Sequence, residues 1–336
     1  RVSDAAERIQ PLLDGSQSVV AGRLAGAFRS LGSADLANAI ISTMRSANYA
    51  VTEVSPFEVV PAALPGGRPE SPYVQRLRLT WAQMRGIVIE HLPAPGALPA
   101  NIEIAFSDME ARYVSDAYHS LSIEGYRVTP ELIERVRSGQ WNPQGVDKNS
   151  RDAMAAKGYF ETHKLVQKFV ADVLQDSNPK HDVRDALSNW YRAIFSTSVQ
   201  AGLLKASDLA GWRNDQVFIR GAIHVPRSKE AVRDCMPVLF ELIGAEEHPG
   251  VRAVLGHFFF VYIHPYMDGN GRLGRFLMNA MLVSGGYVWT VIPVQQRKTY
   301  MQALEKASSG HDIKDFALFI GRLIGEQSAA PLPRPV

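Results

Sequence analysis

The segment Val251–Ile263 reads Val-Arg-Ala-Val-Leu-Gly-His-Phe-Phe-Phe-Val-Tyr-Ile, an almost unbroken apolar and aromatic run. A helix with this pattern must be covered on most sides, so the rest of the chain has to pack around it. Pro265 ends it, because proline disfavours α geometry at the residue before it and cannot easily extend a helix. The helix is therefore expected to stop at His264 and to leave the imidazole at a loop mouth. Gly269, Asn270 and Gly271 follow, three residues that tolerate left-handed backbone and let a ligand approach closely. Arg272–Ser284 then resumes a helical pattern, with Phe276, Leu277, Ala280, Met281 and Val283 available to the core.

The remaining stretches are mostly of the same kind. Helices are expected near Ile104–Glu124, Pro130–Ser138, Arg151–Leu174, His181–Ser196, Glu230–Leu242, Gln296–Ala307 and Ile313–Gly325. The strand signal is confined to Gln216–Ile219 and Ile223–Pro226 around Gly221, which predicts a small hairpin. Upstream, Val19, Val20, Leu24 and Phe28 recur at helical spacing up to Leu31-Gly32. Ser33 then opens a second run through Leu36, Ile40, Ile41 and Met44. Residues 1–60 are thus expected to form a small helical module, resembling a helix-turn-helix in layout. Arg23, Arg29 and Arg45 are its candidate phosphate contacts, although packing or partner binding is the better-supported role. Pro61–Pro72 is too rich in proline and glycine for regular structure, and a second break lies at Pro93–Gly96, so 61–100 reads as linker and connecting helix. The main domain is expected over 101–327, with a disordered tail at 328–336.

Composition removes several classes. With 336 residues, 46% of them apolar, the chain can build a substantial core. The net charge of +2 gives no global case for nucleic acid or an anionic membrane. Cys235 is the single cysteine, so an internal disulfide and a cysteine-built zinc site are both excluded; a small buried hydrophobe is its expected role. No apolar run reaches the length of a membrane span, and the residues after Arg1 lack the features of a secretory signal. Arg1 is not a start residue, so the natural N-terminus is expected further upstream. A cytoplasmic location in a bacterial cell is the expectation.

The chemistry gathers in His264-Pro265-Tyr266-Met267-Asp268-Gly269-Asn270-Gly271-Arg272-Leu273-Gly274-Arg275. A glycine loop entering a helix N-terminus presents unpaired N–H groups and the positive dipole end, which bind phosphate. Arg272 and Arg275 add two guanidinium forks on one face of that turn. Asp268 offers a hard oxygen where Mg²⁺ would bridge phosphates. A neutral His264 could accept the proton of an attacking hydroxyl. One tension follows, since a helix C-terminus favours protonated histidine; nearby cations are expected to keep His264 neutral.

This segment resembles the signature of the Fic family, His-Pro-Phe-x-Asp-Gly-Asn-Gly-Arg-x-x-Arg, with Tyr266 in place of the phenylalanine. The resemblance spans roughly Ile102–Gly325, and Ile292–Tyr300 is similar to the subgroup that includes the human endoplasmic-reticulum enzyme. It implies an all-α, Fic-type helical bundle with a small β-hairpin flap. It also implies AMP transfer from Mg-ATP to Ser, Thr or Tyr hydroxyls of target proteins, itself included. His264 would be the base and Asp268 would hold Mg²⁺. Gly269, Asn270, Gly271 and Arg272, with Leu273 and Gly274 in the same turn, would line the α- and β-phosphates, and Arg275 would meet the γ-phosphate. Gly271 favours AMP transfer, because a phosphorylating relative carries lysine there. Ile219, Arg220, Gly221 and Ala222 would form the flap over the nucleotide and align the target by strand addition. Tyr300 and Met301 fall where the family places adenine neighbours, although Tyr300 fits a plain core position equally well.

Ser120-Leu121-Ser122-Ile123-Glu124-Gly125 resembles the family's inhibitory motif. That likeness implies that Glu124 pairs with Arg275 and fills the γ-phosphate space, with Gly125 stopping the helix. Two alternatives stay open: a de-AMPylating hydrolase in which Glu124 positions a water, and an ATP-sensing regulatory module that engages DNA or protein through residues 18–49. Assembly as a homodimer also stays open.

Overall fold

The computed structural model describes residues 17–55, 71–99, 101–141, 151–176, 183–219 and 221–330. The fold is all-α, and no strand is formed among the described residues. Its centre is α9 (Pro249–Ile263), in which every residue from Gly250 to Phe260 is buried. Pro249 occupies the first turn and the His248 side chain accepts a hydrogen bond from the Val251 N–H, which fixes where the helix starts. The following α10 (Asn270–Val283) is buried at every position except Gly271. Gly256 faces Leu277 while Gly274 faces His257 and Val261, so the two helices run antiparallel. No side chain fits between them at Gly274, where a β-carbon would lie 2.7 Å from the His257 ring.

The other helices enclose this pair. α3 (Pro72–His91) packs on α8 (Lys229–Ala245), α9 and α12 (Lys314–Ala329). Trp81 stacks on Phe259 at 5.6 Å, and Arg85 grips Glu246 with two hydrogen bonds of 2.8 and 2.9 Å. The linker-and-connecting-helix reading of 61–100 therefore misses that Val74, Leu77, Trp81, Met84 and Val88 belong to the main core. On the opposite side, α4 (Ile102–Ile123), α6 (Arg151–Asp176) and α7 (Val183–Gln200) pack against α10, with α5 (Pro130–Arg137) against α4 and α6. α11 (Arg297–Gly310) packs on α12. The expected helices agree with these to within a few residues at each end. α12 runs to Ala329, past the expected start of the tail at 328; the tail from 331 onward, Arg220 and 61–70 lie outside the described residues.

α1 (Ser18–Ser30) and α2 (Ala34–Ser46) make a separate small core of Ala21, Ala25, Ala37, Ile40 and Met44, joined by Tyr49, Val51 and Ala210. Gly22 and Gly26 put the backbone of α1 directly on the carbonyls of Thr52 and Val54, where a β-carbon would sit at 2.1 Å. Arg29 is spent on Glu53 and Asn38, which removes one of the three arginines proposed for phosphate contact. The module leans on the main body through Tyr49, whose hydroxyl donates to the Trp212 carbonyl at 3.3 Å, and through Asn214, which donates to the Ala47 carbonyl at 2.8 Å.

The predicted hairpin is replaced by an open turn. Ala222 N–H bonds the Ile219 carbonyl at 3.1 Å and Gly221 takes φ +78°, but the two legs form no ladder. The backbone N–H groups of Ile223 and His224 point instead to one carboxylate oxygen of Glu305 on α11, at 3.1 and 3.0 Å. A charged acceptor outside the flap has taken the donors that a hairpin needs.

The core also holds a histidine with no hydrogen-bond partner among the described residues. His163 is fully buried between Tyr113 and Trp289, ring centroids 4.8 and 5.4 Å away, and neither ring nitrogen has a hydrogen bond. Burial, helped by the Arg137 charge, lowers its pKa to about 3. The folded state therefore keeps it neutral while the unfolded chain takes up a proton below 6.5. Stability is full above 6.5 and falls on acidification at about 1.4 kcal/mol per pH unit from this residue. Replacing His163→Phe keeps the ring contacts and removes the titration. Urea unfolding at pH 7 and pH 5 should show the acid loss reduced by about 2 kcal/mol relative to the parent; an unchanged loss would mean the histidine is charged or hydrated in the fold.

Candidate active site

His264 ends α9 in left-handed geometry, φ 56° and ψ 62°, and its N–H still bonds the Phe260 carbonyl at 3.0 Å. Its Nδ1 lies 3.2 Å from the Val261 carbonyl. A carbonyl can only accept, so Nδ1 carries the proton and Nε2 keeps its lone pair. No described group bonds Nε2, and the ring lines an open cleft together with Glu124, Gly271 and Arg275. The imidazole pKa is lowered. Burial is the main cause, the Val261 bond opposes it, and the Arg213 charge adds to it. The neutral state expected from nearby cations is thus produced chiefly by desolvation.

The loop after His264 is held from inside. The Asn270 side chain accepts from the Tyr266 N–H at 3.0 Å and donates to the Tyr266 carbonyl at 2.8 Å. Tyr266 itself stacks on Tyr191 at 3.8 Å, so its aromatic body is used as the phenylalanine of the motif would be. Gly269 takes φ +85° and caps α10, a geometry that L side chains rarely adopt. Arg272 is 1% exposed and its guanidinium lies 5.2 Å from the Tyr126 ring and 5.1 Å from Phe195. Two aromatic faces therefore hold a charge beneath the helix start.

Arg275, also buried, donates from Nε to the Ser120 hydroxyl at 2.8 Å, and from one terminal nitrogen to the Ser120 carbonyl at 3.0 Å and to Glu124 at 2.7 Å. α4 ends at Ile123, with Gly125 at φ +86°, and this puts Glu124 over the first turn of α10. A β-carbon on Gly271 would come within 2.2 Å of Glu124 Oε1. Burial alone would raise the Glu124 carboxyl; the charges of Arg275, Arg272 and Arg297 and the Arg275 hydrogen bond outweigh it and hold the group below its usual range. The carboxylate remains 32% exposed, open to the cleft.

Of the residues expected at the site, the cleft brings together Glu124, Ile219, Ala222, His264, Gly271, Arg275, Tyr300 and Met301. Ser120 stands behind Arg275 and Gly125 behind Glu124. Leu273 is fully buried and Gly274 faces α9, so neither turns toward the cleft. Asn270 has its side chain committed to Tyr266, which leaves only its backbone for a ligand. Tyr300 is 1% exposed, bonds His257 at 2.8 Å and forms part of the cleft wall. Burial raises its hydroxyl to about 12.

Asp268 lies on the outer side of the loop, 65% exposed, accepting from the Gly269 N–H at 2.6 Å and facing Arg272 at 3.4 Å. Among the described residues no group of three or more His, Cys, Asp or Glu could hold a metal. A lone accessible carboxylate beside a helix N-terminus would fit Mg²⁺ only if a polyphosphate and water supplied most of its ligands.

Three residues here carry no signal in the sequence pattern. Arg213 donates to the His264 carbonyl at 2.7 Å, to the Asp215 carbonyl at 2.8 Å and to the Arg227 carbonyl, and its N–H bonds the Pro265 carbonyl. It ties both legs of the flap to the loop after His264. Arg297 binds the last carbonyl of α4, Ile123, at 2.8 Å, and Glu305 holds the flap as described. Each has a partner on backbone far away in the chain, a contact that no local spacing marks, although Arg297 lies within the Ile292–Tyr300 resemblance.

Comparison with known proteins agrees with this geometry. Residues 180–282 match the Fic/DOC family. The chain is 31% identical over 231 residues to the protein adenylyltransferase Fic of Drosophila willistoni, covering 66% of this chain and 42% of that one. It is 28% identical over 240 residues to that of Nematostella vectensis, covering 69% and 50%. The chain thus spans half or less of the length of these relatives. They are animal proteins, against the bacterial origin expected from the layout. Among solved structures, Fic-1 (residues 134–508) of C. elegans superposes with TM-score 0.54 at 19% identity, over 75% of this chain and 71% of that one. A Fic family protein of Desulfovibrio desulfuricans gives 0.50 at 18%, over 77% and 75%. No helix among the described residues is long and apolar enough to cross a membrane. The matched segment includes both buried helices and the loop that joins them, and the chain belongs to the Fic/DOC family.

Proposed function

We propose that the protein is an adenylyltransferase that moves AMP from ATP to hydroxyl groups of target proteins, and that Glu124 holds it inactive. The observation that carries this reading is the pairing of a neutral imidazole, its Nε2 open to the cleft, with a cationic helix start that a carboxylate now fills. Ile123, Ile219, Val261, Met301 and Leu304 give the cleft an apolar lining suited to a purine.

The residues divide the work. His264 Nε2 takes the proton of the incoming hydroxyl as its oxygen attacks the α-phosphorus, and pyrophosphate leaves. The N–H groups opening α10, with Arg272 and Arg275, stabilise the negative charge on the phosphates. Asp268 would hold Mg²⁺ together with phosphate oxygens, and the ion would add positive charge at the polyphosphate. Asn270 and Arg213 keep the loop and the His264 carbonyl in place. While Glu124 sits on Arg275 the terminal phosphates have no room, because both anions need the same guanidinium.

Label from α-³²P-ATP on protein tests this. Glu124→Gly should raise labelling by about 10–100-fold, the value of one charge-assisted hydrogen bond. His264→Ala in that background should lower it by about 10²–10⁴-fold. Label arriving only from γ-³²P-ATP would make the protein a kinase. Binding of ATP without any transfer would favour the sensor. AMP released from prelabelled target by the parent, but not by Glu124→Gly, would identify the hydrolase, a reading helped by the closeness of Glu124 to His264.

The pH profile adds a second check. The base works when neutral, so activity rises with pH through the His264 pKa, which burial sets below 6.5. Removing Glu124 removes a charge that raises this pKa, so the acid limb of Glu124→Gly should have its midpoint below 6.5. A midpoint above 7 would contradict a desolvated imidazole base.

A further inference from the structure

His264 holds a left-handed backbone, φ 56° and ψ 62°, ahead of a proline, and such a pose lasts only where neighbours fix it. Arg213 supplies two of the bonds that do so. Its side chain donates to the His264 carbonyl at 2.7 Å, and its own N–H to the next carbonyl, Pro265, at 2.8 Å. Arg213 is itself buried, and its neighbours in the chain are held by the small N-terminal module.

The Trp212 carbonyl accepts from the Tyr49 hydroxyl at 3.3 Å. That carbonyl and the Arg213 N–H belong to one planar trans peptide, so they point in opposite directions. A single peptide unit therefore spans from Tyr49 on the module to the Pro265 carbonyl on the loop. On the other side of Arg213, Asn214 donates to the Ala47 carbonyl at 2.8 Å and accepts from Arg233. The Arg233 guanidinium lies 5.3 Å from the Tyr49 ring, which closes the cluster. Ala210 is buried in the core of the module itself. Residues 210–214 thus form a strap, attached to the module at Ala210, Trp212 and Asn214 and to the His264–Pro265 backbone at Arg213.

We propose that residues 18–55 are a working part of the active site, in which Tyr49 and, from the strap, Asn214 are positioning residues that set the pose of His264 through Arg213. The inference rests on the reading of His264 as the base. Arg275, by contrast, is held from α4 by Ser120 and Glu124, with no bond to the strap. Loosening the module should accordingly slow proton transfer and leave ATP affinity as it was. A contact that shifts α1 and α2 would be felt at the imidazole in the same way.

The test is made in the Glu124→Gly protein, with label from α-³²P-ATP for turnover and calorimetry for ATP affinity and site number. Tyr49→Phe removes one hydroxyl and keeps the ring beneath Arg233; Asn214→Ala removes the second tie. Each should lower labelling at saturating ATP by about fivefold, the effect of one hydrogen bond. ATP should bind each variant within twofold of the parent and at the same number of sites, whereas unfolding would remove sites and turnover together. Arg29→Gln is the control: it breaks the Arg29–Glu53 pair inside the module, away from the strap, and should change neither measurement. Unchanged labelling in both Tyr49→Phe and Asn214→Ala would overturn the proposal, and so would a fall in turnover matched by an equal loss of ATP sites. A fall in Arg29→Gln as large as that in Tyr49→Phe would do the same, by reducing the effect to module stability. If Asn214→Ala fails to fold, Tyr49→Phe decides alone. A Glu124→Gly parent that binds ATP but transfers no label would instead remove His264 as the base, and the role of the module in setting it.

Discussion

Two guanidinium groups are buried at the start of α10, where the helix dipole is already positive. Such a charge cluster is stable only with anions or π-faces around it. Tyr126 and Phe195 serve Arg272, while Glu124 and the Ser120 oxygens serve Arg275. Most of the local architecture can be traced to this need. α4 stops where it does, at Gly125, so that its last carboxylate reaches the turn. Arg297 then covers the Ile123 carbonyl that the stop exposes.

The loop after His264 and the flap are held as one piece. Arg213 bonds the backbone of His264, of Asp215 and of Arg227, three points that lie on the loop and on both legs of the flap. His224 stacks on Tyr262 at 4.5 Å and bonds its carbonyl, which adds a contact between the flap and the last turn of α9. A shift of the flap is thus transmitted to the imidazole through short, directional bonds.

The buried helix pair and its loop were legible in the sequence because their constraints are local. Apolar continuity in Val251–Ile263, a proline that limits the backbone at 265 and glycines that free it at 269 and 271 each act without a distant partner. The helix Pro72–His91 was harder to place, since Arg76, Arg78, Arg85 and Gln83 dilute its apolar stripe, and its partner Glu246 is remote in the chain. The flap misled for a related reason. Val217, Phe218, Ile219, Ile223 and Val225 have strong β preference, yet Glu305, some eighty residues on, took the donors that pairing required. Propensity describes a segment alone, and here the tertiary partner prevailed. Asn270 shows the limit of a motif: the sequence marks it as part of the phosphate loop, whereas its amide is spent on shaping that loop from within.

Gly271 is the one position of α10 that is not buried, and the space above it holds the Glu124 carboxylate. A side chain there would meet the resident carboxylate, so on the proposed function any residue but glycine at 271 would push Glu124 out of its seat. Substitutions at the end of α4 would reach the same carboxylate from the other side. On that reading, the strength of the restraint would be set where one helix terminus meets one glycine.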